Sequence, residues 1–181
     1  MPHPIVLGAA TLGCMSGEIE VVDGVATQVA GDTVVVLWSA PASPERWRRL
    51  QRHCEQVAHE SPFGMVCLDL ILSTSAPPDS ALRAEIQECI RGLGPKMRRL
   101  VVVPLGDSTW LSLVRTLVRA VLLVSGRSKQ HTVVSTVAEG IEAVLEVKSP
   151  DTPSREQLTQ ISRGLFRALE VSTQQFRARY G

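Results

Sequence analysis

Residues 66–86 read VCLDLILSTSAPPDSALRAEI. The first seven are apolar except for one carboxylate, Asp69, and the apolar run reaches back almost unbroken to Phe63. Ten such residues are too few for a long core helix and too evenly apolar for a half-wet strand, so 63–72 is expected to be a strand covered on both faces. The run then breaks at Ser73, Thr74 and Ser75 and at Pro77 and Pro78. It restarts at about Asp79 as a helix, with Leu82, Ile86, Cys89, Ile90 and Leu93 on its inner face and Gly92 and Gly94-Pro95 at its end. A buried strand that passes through a hydroxyl- and proline-rich loop into a helix is the repeating step of an α/β layer.

The flanking chain extends that step in both directions. Downstream, RLVVVPL at 99–105 reads as a second buried strand, and Gly106-Asp107-Ser108 caps a helix from Thr109 to about Val124. That helix is apolar almost all round, with Arg115 and Arg119 one turn apart on its wet side. A short strand at 132–135 and a helix at 138–145 follow. Upstream, Asp23-Gly24 and Gly31-Asp32 separate β-branched runs, which predicts an antiparallel meander at about 18–22, 25–30 and 33–39. Ser43 and Pro44 then open a helix to about residue 60, with Trp47, Leu50, Cys54 and Val57 as its buried stripe.

The expected fold is therefore α/β. It has a mixed central sheet with antiparallel N-terminal strands and parallel core strands, helices packed on it, and an additional C-terminal helix. Residues 1–17 form an N-terminal extension, 18–148 the α/β domain, 149–153 a linker between Pro150 and Pro153, and 154–181 an amphipathic helix. Ser154 and Gln157 make a capping box for that helix, and Leu158, Ile161, Leu165, Leu169 and Phe176 form its apolar face. Right-handed crossovers place Ser73 and Gly106 on one rim of the sheet.

Composition narrows the function classes. The chain has 181 residues, 44% apolar and 20% charged, with a formal net charge of +1. That balance offers no global attraction for nucleic acid or for a membrane surface, and neither partner is expected. Sixteen of the 19 basic residues are arginine, a skew attributed to GC-rich coding. Cys14, Cys54, Cys67 and Cys89 form no C-x-x-C pair and have no histidine at zinc-ligand spacing, so reduced thiols in a cytoplasmic protein are expected and no metal. The N-terminal stretch lacks the basic region of a secretory signal, and no run of about eighteen apolar residues predicts a membrane insertion. No G-x-G-x-x-G or Walker pattern occurs, so no cofactor is expected.

Three segments together resemble the STAS domain of anti-sigma-factor antagonists and its relatives (the SpoIIAA-like, or STAS/SEC14, group). They are CLDLILSTSAPPDSALRAEI, LVVVPLGDSTWLSLVRTL and VVSTVAEGIEAVLE, and the resemblance covers about residues 19–147. It implies a bacterial, non-catalytic protein–protein interaction module, in a group whose relatives also include binders of nucleotides or hydrophobic ligands; a homodimer is expected separately, as one way to cover the all-round apolar 109–124 helix. The resemblance also places the serine that a kinase modifies at Ser80, the first serine of a D-S-S-G-L pattern. Here that pattern is eroded: Ala81 replaces the second serine, Leu82 the glycine, and Pro77-Pro78 lengthen the loop. Ser73, Thr74, Ser75, Pro77, Pro78 and Asp79 then form an interaction loop.

The remaining candidates are weighed by what chemistry needs. A nucleophilic serine requires a base within hydrogen-bond reach, and none of His3, His53, His59 and His131 is expected at the rim. No catalytic residue is assigned. Arg46, Arg48, Arg49 and Arg52 around Trp47, with Arg115 and Arg119, form the expected surface for an acidic protein partner. Trp110, Leu113, Val114, Leu117 and Val121 are an apolar docking face on which the C-terminal helix is expected to seat. Two other readings stand beside the interaction module. One is a binder of a small hydrophobic ligand in a pocket beneath the 109–124 helix, and the other a small enzyme working at the 73–80 and 106–108 rim.

Overall fold

A computed structural model describes residues 17–72, 78–106, 109, 112, 113, 116, 118 and 130–169. Six strands form one sheet: β1 (Glu20–Val22), β2 (Val25–Ala30), β3 (Thr33–Trp38), β4 (Met65–Leu72), β5 (Met97–Leu105) and β6 (His131–Val133). They lie side by side in chain order. β1, β2 and β3 are antiparallel, and β3 to β6 run parallel. The β1–β2 turn uses Asp23 (φ 50°) and Gly24 (φ 79°), the paired positive angles that a two-residue hairpin turn demands.

Four helices among the described residues pack on the sheet: α1 (Pro44–Glu60), α2 (Ser80–Leu93), α3 (Val137–Leu145) and α4 (Arg155–Ala168). Each crossover from β3 to β5 steps the same way along the sheet, and right-handedness then puts α1 and α2 on the same face. Their layer joins Val34, Val36, Trp38, Cys67 and Met97 of the sheet to Leu50, Cys54, Val57, Cys89 and Leu93 of the helices. The opposite face, with Val35, Leu37, Leu68, Leu70, Val101 and Val103, is covered by α3 and α4. β4 lies inside both layers, which is why its sequence is apolar without alternation.

The expected α/β fold, with its mixed sheet and extra C-terminal helix, is the one observed. Local caps agree as well. Ser43 accepts from the Arg46 N–H, Asp79 from Leu82, and Ser154 with Gln157 closes a capping box. One expectation is corrected. The apolar stripe of the C-terminal helix does not wait for the 109–124 segment, because Leu158, Ile161 and Leu165 of α4 are buried against β2, β3 and α3. Phe176 lies outside the described residues.

Candidate functional site

At the carboxyl edge of the parallel strands, β3, β4 and β5 end side by side, with Trp38 opposite Ile71 and Leu72 opposite Leu105. The chain leaves β4 there and enters α2. Asp79 Oδ1 accepts the Leu82 N–H at 2.8 Å, so one free donor of the helix start is satisfied within the turn. Ser80 is the first residue of α2, and Ser80, Ala81 and Ala84 are exposed while Pro78 is half-buried. Ser73, Thr74, Ser75 and Pro77 lie outside the described residues, as does most of the 106–108 turn, of which Gly106 is half-buried.

Asp69 lies three residues before the end of β4, on the face that meets α1 and α2, level with Val36 of β3 and Val102 of β5. Its Oδ1 is sealed from solvent and accepts no hydrogen bond. Burial pushes the carboxyl up to about 7, and a hydrogen bond from the Trp38 side chain opposes that shift.

Beside it the fold assembles three thiols that are far apart in the chain. Cys54 of α1, Cys67 of β4 and Cys89 of α2 are free, buried and in one layer. Cys67 is raised well above the usual thiol range, first by its hydrogen bond with Cys54, then by burial and by the proximity of Cys54, Asp69 and Cys89. Burial, Cys54 and Glu55 push Cys89 up to about 12. Cys67 and Cys89 are therefore protonated, poorly nucleophilic sulfurs. Among the described residues no group of three or more His, Cys, Asp or Glu is placed to hold a metal ion.

The arginines of α1 do not share one face. Arg46 donates to the Pro41 carbonyl at 2.8 Å, Arg48 pairs with Glu85 of α2 at 3.4 Å, and Arg49 pairs with Glu20 of β1 at 3.1 Å. His53 Nε2 lies 2.9 Å from the other Glu20 oxygen. Arg52 is exposed. Between the β1–β2 turn and the start of α1 lies a shallow open cleft, lined by Glu20, Asp23, Glu45, Arg46 and Arg49 among others. Its lining mixes both charges, and Arg49 there is paired with the Glu20 carboxylate of its own chain. Of the expected apolar docking face, Leu113 is 45% exposed, so this residue does not seat in the core. Trp110, Val114, Leu117, Val121, Arg115 and Arg119 lie outside the described residues, and with them the pocket expected beneath the helix.

The densest polar cluster was not foreseen from sequence and sits at the other end of the sheet. Asp32, fully buried in the β2–β3 turn, accepts from Arg98, Ser149 and Thr152 through Oδ2 and from Thr33 through Oδ1. Arg98 also donates to the Val147 carbonyl. The cluster ties the chain ahead of α4 to the base of the sheet. The signal in the sequence was one acidic residue in a turn that needs none.

Among the described residues no helix is long and apolar enough to cross a membrane. Compared with known proteins, the chain matches no family model, no curated protein and no solved structure.

Proposed function

We propose that this chain is a non-catalytic regulatory module of the STAS-like type, which binds another protein through the turn from β4 into α2. The observation that carries the reading is the first turn of α2, where Ser80, Ala81 and Ala84 are exposed at the carboxyl edge of the sheet. Small, uncharged side chains let a partner's backbone approach closely. The Asp79 cap holds the helix start in place before any partner arrives. A phosphate on Ser80 would sit next to the Asp79 carboxylate, and that repulsion favours a constitutive contact face over a phosphoserine switch.

The module is read as bacterial and cytoplasmic, and as a homodimer. Native mass measurement checks the dimer. The partner surface is tested by affinity capture from the source organism with two variants of equal charge change. Ala81→Arg places a long cation on the first turn of α2, and Gln160→Arg places one on exposed α4 across the sheet. Proteins captured by wild type and Gln160→Arg but lost with Ala81→Arg support the reading. Identical captures by all three overturn it.

A further inference from the structure

We draw no further inference here: the strongest candidate, the surface patch around the exposed Phe63 in the turn between α1 and β4, carries nothing because nothing in the structure shows what covers it.

Discussion

Arg98 reaches Asp32 because β5 carries a bulge. The register between β4 and β5 pairs Met65 with Met97 and Val66 with Arg99, leaving Arg98 without a partner on β4. A bulge re-aims the side chain it frees, and this one points at a carboxylate with no exposed surface. The pair forms across 66 residues of chain. Ser149 and Thr152 complete the cluster, so the supposed linker at 149–153 is held by its side chains at the base of the sheet.

Removing one member of that cluster leaves a buried charge without its counterpart. Asp32→Ala is expected to lower stability by about 3–5 kcal/mol, measured by urea unfolding. Arg98→Met strands the fully buried Asp32 carboxylate with only its hydroxyl donors and is expected to cost a similar amount. In the double variant the losses are expected to fall short of additive by more than about 1 kcal/mol. Full additivity would mean the two residues act independently.

Gly31 and Gly92 should respond to alanine with opposite signs. Gly31 has φ +54°, and a Cβ there would run into the Asp151 carbonyl, so Gly31→Ala is expected to destabilise by more than about 1 kcal/mol. Gly92, in the last turn of α2, has nothing within 4 Å of a built Cβ, and Gly92→Ala is expected to stabilise by about 0.5 kcal/mol. Thermal melting of the two variants beside the wild type checks both signs.

The C-terminal helix is part of the core. Leu158 and Leu165 are fully buried on α4 against the sheet, so Leu158→Ala is expected to cost about 2–5 kcal/mol. Deleting residues 150–181 is expected to expose the face formed by Val35, Leu37 and Ala26 and to abolish cooperative unfolding. A truncated protein with an unchanged melting curve would show that α4 is dispensable.

Stability is expected to fall as pH rises toward neutrality. Asp69 holds its proton up to about pH 7 in the folded state, against 3.8 for the ordinary carboxyl. The folded state therefore binds more protons than the unfolded one across that interval. The favourable contribution is complete below pH 3.8 and is lost as pH rises through 7. A shift of this size is worth on the order of 4 kcal/mol. Urea midpoints measured at pH 5 and pH 8 are expected to differ less in Asp69→Asn than in wild type, with the variant the more stable at pH 8.

Local signals in the chain carried the fold a long way. The Asp23-Gly24 turn, the Pro44 helix start, the continuous apolar run of β4 and the Ser154–Gln157 capping box each have a short-range physical cause, and each stands where expected. Partnerships set by the sheet were not legible. Nothing near Cys54, Cys67 or Cys89 in sequence announces that α1, β4 and α2 bring the three thiols into one layer. The Asp32 cluster depends on the β5 bulge, and one extra residue in a strand leaves no mark in an apolar pattern. The arginines around Trp47 are neighbours in sequence, but the partners of Arg48 and Arg49 come from elements distant in the chain. In the fold Arg48 turns to Glu85 and Arg49 to Glu20, on different sides of α1.

The partner surface at the start of α2 is tested most directly by the affinity of a captured partner for three purified proteins: wild type, Ala81→Arg and Gln160→Arg. Loss of a central contact in a protein interface commonly costs 2 kcal/mol or more, about thirtyfold in Kd. Ala81→Arg is expected to weaken binding by at least about that factor while its melting curve stays that of the wild type, and Gln160→Arg is expected to bind as the wild type does. Equal affinity for all three proteins would contradict a contact at the first turn of α2.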